Sequence, residues 1–137
     1  MKASEVVYKK IKDNGNHVWI TLLNGDKAHI LTDGKEYFVV DKFRNQSVKY
    51  SIFDIVVSFL KRQANGKGRK GGSRDSKVGE KKCTKDTVMY AIATEYYEKH
   101  IGESCYDPVF VIAAMLDWAG IAKNGRGYIQ LFNPSLW

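Results

Sequence analysis

Residues 107–121 are the part of this 137-residue sequence that most restricts the fold. No charged residue occurs between Pro108 and Leu116, so a helix formed here is apolar on most of its sides. A helix of that kind is normally buried at the centre of a domain. Asp107 can cap its first turn, Pro108 suits the first helical position, and Gly120 can adopt the left-handed conformation that ends it. We therefore predict a central buried helix that is too short to span a membrane.

Residues 1–50 predict a helix followed by a three-stranded antiparallel β-meander. Apolar residues at helical spacing between Ala3 and Ile11 indicate a short amphipathic helix. Two later dipeptides, Asn-Gly and Asp-Gly, are the ones that tight hairpin turns prefer, because these residues tolerate positive φ angles. Aromatic and β-branched residues fill the stretches around these turns. The strands are predicted at about 17–23, 27–32 and 36–43.

The rest of the chain predicts a mainly helical half that packs on the meander. Apolar spacing indicates a helix at 51–62 and another from about residue 84, ahead of the central helix. The sequence Asn-Gly-Arg-Gly at 124–127 predicts a turn that leads into a short strand at 128–132. We predict one α+β domain over residues 1–137, made of a helix and meander (1–50), a helix (51–62), a basic loop (63–83) and a helical half with a wing-like strand (84–137).

The net charge of +7 lies almost entirely in one stretch of the sequence. Residues 61–82 carry nine Lys or Arg against two Asp or Glu, whereas 1–60 carry nine against seven and 83–137 carry four against six. Five glycines occur between Gln63 and Lys82, with almost no apolar residues. Such a composition cannot bury enough surface to order itself. We therefore predict a flexible basic loop.

This basic loop is the strongest indication of function in the sequence. Cations on a flexible glycine-rich chain can follow a phosphate backbone, because each contact releases a condensed counterion. We therefore expect a non-enzymatic nucleic-acid-binding protein that contacts phosphates, with DNA as the expected nucleic acid. The expected loop contacts are Lys67, Arg69, Lys70, Arg74, Lys77, Lys81 and Lys82. Lys123 and Arg126, beside the glycine turn, are expected to add phosphate contacts.

The order helix, loop, helix, turn, helix, glycine turn and strand after residue 51 resembles a winged helix-turn-helix. The run from Val111 to Phe132 carries the resemblance: a helix ends in Trp-Ala-Gly-Ile, and Asn-Gly-Arg-Gly-Tyr leads into an apolar strand. The resemblance implies a DNA-binding fold with an arginine on its wing. The third helix departs from this pattern, since its two charges, Asp107 and Asp117, are acidic and it offers no Lys, Arg, Asn or Gln for base reading. We expect that helix to serve packing instead.

Two other functions are open from the sequence. The same basic loop could bind an acidic protein partner, such as a nucleic-acid-handling enzyme, which would make this chain an inhibitor or adaptor. The second alternative is a metal-dependent nuclease, which needs carboxylates that converge on one side of a sheet. Its candidate residues are Asp33, Lys35, Glu36 and Asp41.

The cysteines and histidines do not indicate a further functional site. Cys83 and Cys105 match no zinc spacing and are too few for a disulfide framework, and no N-terminal signal segment is apparent, so we expect a cytoplasmic location. Cys105 with His100 could form a nucleophile–base pair, although nothing marks an oxyanion hole. His17 and His29 are expected to face each other on adjacent strands without a third zinc ligand. We expect no cofactor, metal, catalytic residue or membrane partner, and the oligomeric state is open.

Overall fold

The computed structural model describes residues 1–44 and 46–137 and confirms the α+β class. Helices and two antiparallel sheets alternate along the chain and share one hydrophobic core that runs from Ala3 to Leu131. No helix of the described residues is both long enough and apolar enough to cross a membrane. The helices are α1 (Ala3–Asp13), α2 (Ser51–Lys61), α3 (Val88–Ala91, continued by a π-helical turn at Ile92–Tyr96) and α4 (Val109–Trp118). The strands are β1 (His17–Thr21), β2 (Lys27–Asp33), β3 (Tyr37–Val40), β4 (Ser47–Lys49), β5 (Lys67–Arg69), β6 (Ala122–Asn124) and β7 (Tyr128–Leu131). Short 3₁₀ turns lie at Ala64–Gly66 and Pro134–Leu136.

The first sheet is a meander with the strand order β1-β2-β3-β4. Both predicted hairpins are present, but the prediction of three strands is wrong, because β4 adds a fourth. Ser47–Lys49 pairs with β3 through the register Phe38↔Val48, and only Val48 of the three residues is buried. Three residues that alternate between exposed and buried are too short a pattern to predict a strand from the sequence alone.

Helix α4 lies in the core, as its apolar sequence predicts. All of its residues from Val111 to Leu116 are buried. The Asp107 carboxylate accepts a hydrogen bond from the Val109 N–H at 3.0 Å, which satisfies a free donor of the first turn. Gly120 adopts a φ of +77° immediately after the helix. Gly120 therefore follows the end of the helix as predicted, whereas the helix begins at Val109, one residue later than predicted, and Pro108 precedes its first turn.

The segment predicted as a flexible loop, residues 63–83, contains ordered structure, and the prediction is wrong in that respect. Residues 67–69 form β5, and Gly68 is buried where a Cβ atom would lie only 2.8 Å from the Phe59 ring. Val78 and Cys83 have no exposed surface. The glycines of this segment suggest flexibility in the sequence. One of them, Gly68, instead allows the backbone of β5 to pack closely against helix α2.

The second, smaller sheet has the strand order β5-β7-β6 and joins this segment to the C-terminal strands. The pairing is antiparallel throughout, with Gly68 opposite Ile129 and Asn124 opposite Ile129 on the other side. The Lys70 N–H continues the ladder by donating to the Gly127 carbonyl at 2.9 Å. Helix α3 begins at Val88, later than predicted, because the buried Thr87 hydroxyl caps it by accepting from the Tyr90 N–H.

Gly71 provides a test of whether residues 63–83 hold this fold. It has a φ of +64°, and an added Cβ would clash with the Lys82 carbonyl and approach the Thr87 side chain to 2.6 Å. We predict that Gly71→Ala lowers the free energy of unfolding by about 1–3 kcal/mol more than Gly34→Ala does, because only Gly71 lacks space for a methyl group. Gly34 is the matched control, since it has a φ of +74° but no atom within 4 Å of the position that a Cβ atom would take.

Urea denaturation followed by circular dichroism measures both variants. Equal losses in the two variants would contradict the ordered path of this segment, because a mobile loop would move away from the added methyl group.

Candidate functional site

The outer face of the small sheet collects three of the predicted cations. Gln130 of β7 pairs with Lys67 of β5 on one side and with Lys123 of β6 on the other. These three residues form one row across the strands. Arg69 lies opposite Tyr128 in the neighbouring row. The alternating residues Gly68, Ile129 and Ala122 point into the core and are buried. We call these five outward residues (Lys67, Arg69, Lys123, Tyr128 and Gln130) the sheet face.

The Tyr128 ring positions the two lysines of the sheet face. The Lys67 ammonium lies 4.3 Å from the ring centroid, and the Lys123 ammonium lies 5.8 Å from it. These are distances at which a cation is attracted to the electron-rich ring face. Gly125 leaves room for the ring, because a side chain at this position would overlap the Tyr128 ring atoms. Two positive charges are therefore held beside one half-buried aromatic ring.

Arg69 is the one predicted cation that forms an ion pair within residues 1–44 and 46–137. Its guanidinium lies 2.9 Å from Asp86, and both side chains are more than half exposed. Hydrogen bonds from Thr84 and Arg69 lower the pKa of the Asp86 carboxyl. An exposed pair of this kind contributes little to stability, about 0–1 kcal/mol, so Arg69 can exchange Asp86 for an outside anion at small cost.

We call the turn between β6 and β7 (residues 125–127) the wing, as a label for its position only, and Arg126 and Lys70 are arranged differently around it. Arg126 is exposed at the tip. The Lys70 ammonium instead turns back and donates to the Asn124 side-chain carbonyl. Partial burial lowers the pKa of Lys70. Lys70 therefore connects β5 to the wing, and its expected contact with a phosphate stays a prediction.

Arg74 lies away from the sheet face and lines a groove of about 850 Å³ with Lys42 and Arg44 from the β3–β4 loop. We call this the cationic groove. The backbone beside Arg74 is fixed, because the Ser73 hydroxyl donates to the Cys105 carbonyl at 2.7 Å and the Ser73 N–H donates to Asp107.

Lys77, Lys81 and Lys82 form a third group on an irregular turn that is fastened to residues 102–103. The Val78 N–H donates to the Glu103 carbonyl, and the Gly102 N–H donates to the Val78 carbonyl at 2.8 Å. All three lysines are exposed. The nine predicted residues are thus spread over the sheet face with its wing, the cationic groove and this turn, rather than along one flexible chain.

Among the residues that the structure describes, the carboxylates of the nuclease alternative do not meet in a group of three or more metal-binding side chains. Asp41 accepts the backbone N–H of His29, and Asp33 is exposed at the end of β2. Within the described ranges, 1–44 and 46–137, there is no group of three or more His, Cys, Asp or Glu placed to hold a metal ion. His17 and His29 do face each other as predicted, with 3.0 Å between their ring nitrogens, and Trp19 stacks on His29.

The sequence matches no protein-family model, no curated protein is similar to it, and no solved structure is similar to its fold.

Tyr128, Lys42, Arg44 and Phe110 also line the candidate surfaces but are not among the site residues that the sequence predicts. Tyr128 directly follows the wing and alternates with buried Ile129, so its outward direction could have been predicted from the strand pattern. Its lysine partners could not, because Lys67 lies in a segment that carries no strand pattern. Lys42 and Arg44 stand out only once the β3–β4 loop is seen beside Arg74.

The Cys105 thiol provides a test of the nucleophile alternative. Burial, with a smaller contribution from Cys83, raises the pKa of Cys105 to about 11. The neutral thiol is therefore favoured at physiological pH, where a reactive cysteine would need a lowered pKa. We predict that iodoacetamide alkylates Cys105 in the folded protein at pH 8 roughly a hundredfold more slowly than an unperturbed thiol does.

Mass spectrometry of peptides resolves the two cysteines, and the same protein unfolded in urea is the control. Rapid alkylation in the folded state, with an apparent pKa below neutrality, would restore the nucleophile–base hypothesis for Cys105 and His100.

Proposed function

We propose that the protein is a non-enzymatic nucleic-acid-binding protein that contacts the phosphate backbone of DNA through the sheet face and the wing. The observation that carries the proposal is the cross-strand row in which Lys67 and Lys123 flank Gln130, with the exposed Arg126 on the adjoining turn. Each phosphate neutralised by a lysine or arginine releases counterions, which favours association.

The spacing of the row supports this assignment. Lys67 and Lys123 belong to strands on opposite sides of β7, so their backbones are about 10 Å apart. A phosphate chain that crosses the sheet meets both ammonium groups, which lie beside the Tyr128 ring. The contacts of both lysines with Tyr128 reduce the side-chain freedom that binding would otherwise have to remove.

We propose that α4 serves packing rather than base reading. Helices and strands follow one another in the order α2, β5, α3, α4, β6 and β7, and the small sheet brings β5 to the wing. Apart from Phe110, Asp117 and the half-buried Trp118, α4 is buried, so it has no polar face to place in a groove of DNA. The proposed contacts are therefore to the backbone, and the proposed specificity for base sequence is low.

The proposal includes a cytoplasmic location, since the free thiols of Cys83 and Cys105 suit a reducing compartment. We propose that the exposed lysines of the third group add supplementary phosphate contacts: Lys77, Lys81 and Lys82.

The salt dependence of DNA binding tests the proposal. Fluorescence anisotropy of a labelled duplex and a labelled single strand, titrated at several salt concentrations, gives affinity and its salt slope. We predict that Lys67→Gln/Lys123→Gln/Arg126→Gln weakens binding at least about tenfold and flattens the log–log salt slope by roughly 0.9 per lost duplex contact.

A second triple variant that removes the same charge is the matched control: Lys9→Gln/Lys12→Gln/Lys35→Gln, on α1 and the β2–β3 turn. It should change affinity much less, because only net charge is altered. Equal losses in the two variants would show that charge alone matters and would contradict the sheet face as the site. A wild-type protein that binds no DNA at low salt would refute the proposal and favour an acidic protein partner.

A further inference from the structure

We infer that the cationic groove is a binding site for a nucleotide, in which guanidinium groups take the phosphate and an aromatic side chain takes the base. Residues 42 and 44, 73–74 and 104–107 line the groove, together with Asn24 and Phe110. Its volume of about 850 Å³ is within the range of small-molecule sites, roughly 300–1,000 Å³. This inference does not depend on DNA binding by the sheet face.

Three cations from two separate segments converge on the groove. Lys42 and Arg44 come from the β3–β4 loop, and Arg74 comes from the segment after β5. None of the three has an ion-pair partner within residues 1–44 and 46–137. Arginine presents a planar fork of donors that fits two phosphate oxygens at once. A phosphate in the groove therefore has donors available from both segments.

The only carboxylate among the described residues that line the groove, Asp107, already accepts two hydrogen bonds. One of its oxygens accepts the Val109 N–H at 3.0 Å, and the other accepts the Ser73 N–H at 3.2 Å. These two backbone donors partly compensate its negative charge. With three cations against one bonded carboxylate, the groove favours an anion over a cation.

An aromatic surface for a base lies beside these charges. Phe110, at the start of α4, has 44 % of its surface exposed and lines the groove. The buried Phe43 packs edge-on against Phe110 and Tyr106, with ring centroids 6.3 Å and 5.7 Å away. Phe43 thus holds both rings in place. Stacking of a base on such a ring is favourable and needs no particular base.

The neighbouring surface continues the groove toward the wing. Asn24 and Phe110 line both the cationic groove and an adjacent pocket of about 260 Å³. Arg126 and the half-buried Lys70 line that pocket. The ligand chemistry, a phosphate joined to a flat base, is shared by a free mononucleotide and by the phosphorylated end of a nucleic-acid strand, so the experiment includes both.

Isothermal titration with adenosine monophosphate tests the site, with adenosine and inorganic phosphate as half-ligands. We expect adenosine monophosphate to bind with one site per chain and each half-ligand to bind at least about tenfold more weakly. Arg44→Gln/Arg74→Gln should weaken nucleotide binding about tenfold or more, whereas Arg44→Lys/Arg74→Lys should retain part of it. Phe110→Leu, which keeps an apolar contact with Phe43, should weaken nucleotide and adenosine binding but leave phosphate binding unchanged.

Two controls separate this site from the sheet face. Lys67→Gln/Lys123→Gln removes charge elsewhere and should leave the affinity for adenosine monophosphate unchanged. A terminally phosphorylated oligothymidylate that displaces the nucleotide, when the unphosphorylated strand does not, identifies a strand end as the source. Failure to displace it identifies a free nucleotide.

Three results would overturn the inference: no saturable binding of adenosine monophosphate, binding that Arg44→Gln/Arg74→Gln leaves unchanged, or equal loss in the Lys67→Gln/Lys123→Gln control. Saturation of the groove by an acidic peptide such as oligoglutamate, in a protein that does not bind the nucleotide, would likewise overturn it. Circular dichroism of each variant confirms that the fold is retained.

Discussion

The pairing of β5 with β7 is the interaction on which the rest of the arrangement depends. It converts a glycine-rich, highly charged segment into the edge of a sheet, and it is possible because Gly68 has no side chain to collide with Phe59. Without this pairing, Lys67 would have no fixed position beside Tyr128, and Arg69 would not lie next to Asp86. The backbone after β5 would also lose its attachment to the wing through Lys70.

The ordered backbone lowers the conformational entropy that these cations would lose if they bound a polyanion. A flexible basic chain has to lose conformational freedom when it binds, at a cost of about 1–2 kcal/mol for each backbone residue that becomes ordered. Here the backbone is already ordered, and the cations occupy distinct surfaces: the sheet face with the wing, the cationic groove, and the turn that carries Lys77. Each surface can therefore be tested by its own substitutions, since a distant change leaves the others in place.

The sequence predicts the parts of this fold that follow local rules. Helix α4 and its ends follow from an apolar run bounded by Asp107 and Gly120, and the meander follows from two hairpin dipeptides. It does not predict β5, because Lys-Gly-Arg has no strand pattern and forms a strand only when β7 is beside it. The same reason explains why the sequence does not predict the candidate surfaces in full. The individual cations can be read from the sequence, but long-range packing decides that Tyr128, Lys42 and Arg44 lie beside them.

Amide hydrogen exchange at Lys70 and Gly72 is the most direct measurement of the central claim, that residues 63–83 are ordered, with 67–69 forming a strand of the small sheet. The Lys70 N–H donates to the Gly127 carbonyl and the Gly72 N–H to the Lys82 carbonyl, each at 2.9 Å. Both amides should exchange far more slowly than in an unstructured peptide, because exchange requires these bonds to open. Exchange of both at the rate of an unstructured chain would contradict the account.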